Sequence, residues 1–369
     1  MVKFIRNEKS FFIALAAIIL VLLLASNPAI HASNLLTGLL FILVFSVIIY
    51  AAMGVVHHAE QLAHKLGEPY GTMILTLSAV TVEVIMVATM MFHADSDPTL
   101  ARNTIFSTVM ILFNGLIGLC MLLGGFKFGE QKYNLKSSNS FFSMIFCIVG
   151  AGLFIPIIIN PESLNHYYIF LIILELLLYI FFIRMQSKEH NYYFIFQTGV
   201  FQKDVGEKKA EEISDSARKQ IKGFYHTAML LLTITAISFL AETLSIVIDD
   251  GVDKLHWPAE VAGLVVALII VSPEGLTAIR AGLKNDMQRV VNISLGSVLS
   301  TISLTIPVVL LIGIFTHREI ILAVSPDQAV LIVISLLVGM LSYKDGETNA
   351  LQGLIHLMLF VTFVVLIFL

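Results

Sequence analysis

The chain has 369 residues, 57% of them hydrophobic and only 13% charged; a soluble domain carries about a quarter charged residues. No soluble globule of this length could hide so much apolar surface, so most of the chain is expected in lipid. A net charge of −4 with no basic stripe offers nothing to nucleic acid. Cys120 and Cys147 sit inside apolar runs and read as small core residues, not as a disulfide or a metal pair.

Eleven apolar runs have the length of a membrane span: 11–30, 35–56, 71–92, 104–125, 141–159, 167–185, 224–248, 260–280, 291–315, 328–342 and 350–368. The shortest is 328–342. The first run is expected to be a retained helix, because it is long and the small residues around Ala29–Ser33 make an unconvincing cleavage site. Basic residues tend to stay on the cytoplasmic side. With the N-terminus inside, nineteen of the 22 Lys and Arg fall in inner segments and only Arg102, Lys254 and Arg318 fall outside. This predicts an N-in, C-out protein of the cytoplasmic membrane. Ser187–Gly223 is the one long polar segment and reads as a cytoplasmic linker.

Two regions resemble each other. Aligning Glu83 with Glu274, and allowing a two-residue difference in the following loop, Asn103 meets Asn292. Ser107, Thr108, Asn114, Gly118 and Gly124 then meet Gly296, Ser297, Ser303, Pro307 and Gly313. Span three runs outward and span eight runs inward, so the copies are inverted. Inverted repeats are an architecture of secondary transporters, whose site lies where the copies meet at mid-membrane. The expected fold is therefore all-α, 1+5+5: an N-terminal helix (1–33), a first five-helix repeat (34–186), the linker (187–223) and a second repeat (224–369).

Glu83 and Glu274 both fall near the middle of their spans. A carboxylate there costs about 2.5–3.5 kcal/mol on insertion scales, which makes it a functional candidate. Thr76 lies seven residues before Glu83, on the same helix face. Ser272-Pro273-Glu274-Gly275 reads as a helix break beside a carboxylate, because Pro273 removes a backbone donor and crowds the carbonyl of Ile269. Asn292, Gly296, Ser300, Ser303 and Pro307 form one small, polar stripe on span nine; Asn103, Ser107, Asn114 and Gly118 form its counterpart on span four. Such stripes also serve close helix packing. Converging on two glutamates, they suggest an oxygen-lined cavity suited to hard cations such as Ca²⁺ or Na⁺. Glu175, Glu242 and His356 read first as structural contacts. His57, His58, Glu60, His64 and Glu68 cluster before span three and are candidates for an inner mouth that gathers cations or senses pH.

Glu60-Gln61-Leu62-Ala63-His64-Lys65-Leu66-Gly67, with Gly71 and the run to Glu83, resembles the first repeat of the calcium/proton antiporters of the cation/calcium exchanger superfamily. Asn292-Ile293-Ser294-Leu295-Gly296-Ser297 and Ile306-Pro307 resemble the second. Gly67-Glu68-Pro69-Tyr70-Gly71 and Ser272-Pro273-Glu274-Gly275 are most similar to the bacterial ChaA-type branch. The resemblance implies cation/proton exchange, with Glu83 and Glu274 binding the cation or protons and Thr108, Ser297 and Ser300 lining the site. Calcium-selective members carry Gly-Asn-Ala before each glutamate. Here Val80-Thr81-Val82 and Val271-Ser272-Pro273 stand there, which keeps Na⁺ and K⁺ beside Ca²⁺ as candidates.

On this reading cation and proton compete for the same two carboxyl groups, and no cofactor is expected beyond the transported ions. The partners are those ions and the bilayer. A cation channel is the nearest rival and would need no coupling glutamates. No His-Glu-x-x-His or Gly-x-Ser-x-Gly motif points to an enzyme.

Overall fold

The computed structural model describes residues 8–24, 33–66, 70–92, 97–186, 190–194, 216–255 and 257–369. Among these residues, eleven helices coincide with the eleven expected spans. They are α1 (Lys9–Leu24), α2 (Asn34–Leu66), α3 (Tyr70–Met91), α4 (Leu100–Phe128), α5 (Leu135–Ile157), α6 (Pro161–Arg184), α7 (Ser216–Leu255), α8 (Glu260–Gly282), α9 (Met287–Thr316), α10 (Pro326–Ser342) and α11 (Ala350–Ile367). Eight are long and apolar enough to cross a membrane; α1, α3 and α10 are shorter apolar helices. Helices are what lipid demands, since a spanning segment must satisfy its own backbone.

Burial separates the centre from the rim. In α4, 89% of the apolar stretch is buried, and in α9 67%, against 33% in α6 and 17% in α11. Outward-facing residues such as Leu22, Leu35, Ile42, Phe170, Phe181, Leu351 and Met358 are large and apolar, as expected where the solvent is hydrocarbon. The centre is close-packed. A Cβ on Gly263 of α8 would lie 2.6 Å from the carbonyl carbon of Asn103 in α4, so the two backbones touch and only glycine fits.

Turns gather at two faces. On one, Gln131 Nε2 donates to the carbonyl of Gly282 at 2.9 Å, Asn134 N to Gln288 Oε1 at 2.7 Å, and Tyr133 N to the carbonyl of Gly346 at 3.0 Å. On the opposite face, Ile321 N donates to the carbonyl of Pro98 at 3.0 Å and Val324 N to that of Leu153 at 3.2 Å. Helix ends alternate between these faces, as the span count requires.

The all-α expectation holds, with one small addition and two corrections of detail. First, β1 (Glu130–Lys132) and β2 (Glu347–Asn349) pair antiparallel on the first face, Gln131 opposite Thr348. This ties the turn after α4 to the turn before α11, segments too distant in sequence for either to announce a partner. Second, the linker is shorter than expected, because α7 begins at Ser216. Its 40 residues span about 60 Å and so project beyond the bilayer. Third, α8 does not break at Pro273; it runs on to Gly282. Ser272 Oγ donates to the carbonyl of Leu268 and Thr277 Oγ1 to that of Pro273, so hydroxyls cover carbonyls around the proline.

The irregularity lies instead in α4 and α9. Each contains a π turn, Ile111–Leu116 in α4 and Thr301–Thr305 in α9. The repeat alignment carries the first onto residues 300–305, almost onto the second. Moreover, the first half of each helix packs against the π turn of the other, as an inverted pair related by a pseudo-two-fold axis would. A third π turn, Gly150–Phe154, lies in α5.

Candidate functional site

Glu83 projects from the middle of α3 and is 1% exposed. Its Oε2 accepts a hydrogen bond from Thr301 Oγ1 at 3.0 Å, and its Oε1 has no partner. Glu274, on α8, is half-buried and accepts a hydrogen bond from Ser297 Oγ. Ser297 and Thr301 are four residues apart on α9, hence one turn apart on one face. A single helix therefore holds both carboxylates. Thr305 turns towards Glu83 as well, without closing a hydrogen bond.

Thr301 was missed because the polar stripe was traced from Ser300 to Ser303. It opens the π turn and still lies one ordinary helical turn beyond Ser297, while Ser303 Oγ, inside the π turn, is buried without a partner. Ser300 Oγ donates to the carbonyl of Ser297 at 3.0 Å and steadies the turn that presents Ser297. Ser272 is half-buried and bonded within α8. The signal was present: Thr301 follows Ser297 at the four-residue spacing of one helical face.

The arrangement is not symmetric. The repeat partner of the Ser297–Glu274 pair is Thr108 with Glu83, and there the bond is unmade: Thr108 is fully buried and its Oγ1, like Glu83 Oε1, has no partner. The repeat partner of Thr301 is Leu112, which has no hydroxyl. The hydroxyls that bond both glutamates therefore come from α9.

Thr76 is half-buried, and its hydroxyl meets that of Tyr179 on α6, which also lies close enough to Glu274 to feel its charge. Tyr179 is a second site neighbour that the sequence did not disclose. Asn114 is drawn elsewhere. Its Nδ2 donates to Ser335 Oγ at 2.7 Å and its Oδ1 lies 3.0 Å from His356 Nδ1. It joins α4 to α10 and α11 and makes no hydrogen bond to either carboxylate.

The inner-mouth cluster also disperses. His58 is buried between α1, α2 and α7, its Nε2 2.9 Å from Glu8 Oε2 and its Nδ1 3.0 Å from His226 Nδ1. Tyr225 donates to the other oxygen of Glu8. This is a polar clasp fastening α1 to the bundle. His58 belongs to it because α2 continues past the membrane with one face against α7. His57 is exposed and Glu60 half-buried on other faces of α2; Glu68 and the side chain of His64 lie outside the described residues. Glu242 is exposed, whereas Glu175 and His356 are fully buried.

Polar residues lead to the carboxylates from both faces. From the face of residues 283–286, half-buried Asn292, Gly296 and Ser297 run along α9 to Glu274. From the other face a cavity of about 370 Å³, lined by Asn103, Ser107, Glu260, Asp327 and Gln328, enters beside α4. Beyond it Thr108 and Glu83 are sealed.

Comparison with known proteins gives a consistent result. A model of the family "Sodium/calcium exchanger protein" matches in two segments, residues 36–188 and 225–369. The sodium-potassium/proton antiporter ChaA of Escherichia coli (strain K12) is 33% identical over 371 residues, covering 100% of this chain and 98% of that protein. The Ca(2+)/H(+) antiporter ChaA of Bacillus subtilis (strain 168) is 22% identical over 242 residues, 64% of this chain and 66% of that one. Among solved structures, native YfkE superposes with a TM-score of 0.73 at 18% identity, covering 97% of this chain and 99% of that chain. The H+/Ca2+ exchanger CAX gives 0.63 at 14% identity, covering 97% and 88%.

Proposed function

The chain belongs to the sodium/calcium exchanger protein family, and from that membership we propose that it is a secondary active antiporter exchanging a cation for protons across the bacterial inner membrane. Glu83 and Glu274 bind the cation or protons in turn. The observation that carries this reading is that two mid-membrane carboxylates are held one helical turn apart by Thr301 and Ser297 of α9. Carboxylate and hydroxyl oxygens suit a hard cation. No amide side chain bonds to either glutamate among the described residues, and a relative that matches along the full length is a sodium-potassium/proton antiporter. Na⁺ and K⁺ therefore stand with Ca²⁺ as substrates.

Protons and cation occupy the same oxygens, so the site empties of one only when the other arrives. Carrying two unpaired carboxylates through a closed, dry state is costly, which favours exchange over leak. The two polar half-paths, Asn292–Ser297 and Asn103–Thr108, correspond in the repeat alignment and support alternating access. The two matched family segments favour five-helix repeats of about 34–186 and 224–369, joined by a linker that gives way to α7 at Ser216. The basic residues favour a cytoplasmic N-terminus and an external C-terminus.

The test is dissipation of an imposed pH gradient in inside-out vesicles by Ca²⁺, Na⁺ and K⁺. Wild type collapses the gradient with at least one of them, while Glu83→Gln and Glu274→Gln insert normally and do not respond. Normal exchange by either variant overturns the assignment.

A further inference from the structure

Glu175 lies mid-way along α6 and is fully buried, and both its carboxyl oxygens lack a hydrogen-bond partner. A carboxyl group in hydrocarbon is expensive, and a structural one is normally hydrogen-bonded. Here room has been made for it. A Cβ on Gly152, inside the α5 π turn, would lie 3.0 Å from Glu175 Oε1 and 2.9 Å from Ile306 Cδ1. Any larger residue would press on the acid. Ile306 comes directly after the π turn of α9 that carries Thr301 and Thr305. Glu175 thus sits between two π turns, one of which holds Glu83.

Its own helix links it to the other glutamate. Tyr179 lies four residues on, on the same buried face, and borders Thr76 and Glu274. The titratable groups that face Glu175 are tyrosines of α6: Tyr179, and Tyr167, whose hydroxyl donates to the carbonyl of Ala151 at 2.7 Å. The stretches of α5 and α9 packed against it bring no titratable group; Cys147 on α5 is exposed. No Lys, Arg or His faces Glu175 among the described residues, so its charged form has no fixed counter-ion.

Resting on the exchange reading above, we propose that Glu175 is a third proton-carrying carboxyl group of the exchanger, separate from the cation-bearing pair. Its O–H bond forms with a proton from the side on which the site is open. The protonated site then turns, and the bond breaks as a cation enters beside Glu83 and Glu274 from the opposite side, to which the proton is released. Each turnover then moves one proton more than the cation-binding pair alone accounts for.

Purified protein in liposomes, clamped at zero membrane potential with a pH difference of one unit, reads this directly. The limiting cation ratio grows tenfold per coupled proton, so Glu175→Gln is expected to lower it about tenfold while exchange continues. An unchanged ratio overturns the proposal. Should Glu175→Gln be inactive, infrared difference spectra on wild-type protein decide instead, with the same variant assigning the band. The carboxylic acid C=O band that Glu175→Gln removes must respond to cation addition. A band indifferent to the cation makes Glu175 a permanent structural acid. Wild-type protein that moves no protons against any cation overturns the exchange reading itself, a different result from an unchanged ratio.

Discussion

Replacing Thr301 by Val removes one hydroxyl and little else. The two side chains are nearly the same shape, both β-branched, and the residue is buried at the start of a π turn. What disappears is the 3.0 Å hydrogen bond to Glu83 Oε2. Because Glu83 Oε1 already has no partner, the variant leaves a carboxyl group with no donor at all. A hydrogen bond to a charged group contributes about 1.5–3 kcal/mol, against about 1 for one between neutral groups. The hydroxyl thus favours the ionised, cation-holding carboxylate over the protonated one by roughly 1–1.5 kcal/mol, equivalent to about tenfold in affinity. Cation titration of antiport in vesicles should show half-saturation raised about tenfold at a nearly unchanged maximal rate, and Thr301→Ser should stay close to wild type. Unchanged half-saturation in Thr301→Val would refute the placement of Thr301 in the site. Equal loss in Thr301→Ser would mean the methyl group, not the hydroxyl, was at work.

Other consequences are measurable. Ser297→Ala should weaken cation affinity more than Thr108→Val, because Ser297 bonds its glutamate and Thr108 does not; equal effects would refute the asymmetry. Gly263→Val should fail to give a monodisperse protein in detergent, since a Cβ would press into the α4 backbone; overpacking costs about 1–3 kcal/mol even where neighbours can move. Gly346, at φ 74° in the turn before β2, should cost about 1–2 kcal/mol when changed to Ala, lowering the melting temperature while exchange persists. Burial pushes the Tyr133 phenol, in the turn beside β1, well above its ordinary value. The unfolded chain therefore ionises first, so this contribution is complete below about pH 10 and falls as pH rises further. Tyr133→Phe should flatten that alkaline loss in a thermal melt.

Eleven helices, their order and the two mid-membrane glutamates were legible in the chain itself. Lipid forces spans to be long and apolar, and a charge left inside one stands out against that background. The inverted correspondence of spans three and four with eight and nine was legible too, because polar residues recur there at matched positions. Pro273 misled: its chemistry predicts a break, but hydroxyls of Ser272 and Thr277 bond the neighbouring carbonyls and α8 continues. What the tertiary structure alone decided was helical phase and partnership. On α9 it is Thr301, opening the π turn, and not Ser303 within it, that meets Glu83; on α4 Asn114, inside the other π turn, meets Ser335 and His356. Likewise His58 found Glu8 and His226, and β1 found β2, across long separations in sequence. Periodicity reports the face a residue takes on a regular helix. It carries no information about where packing will insert a residue into a turn, nor about which distant helix will cover the face that results.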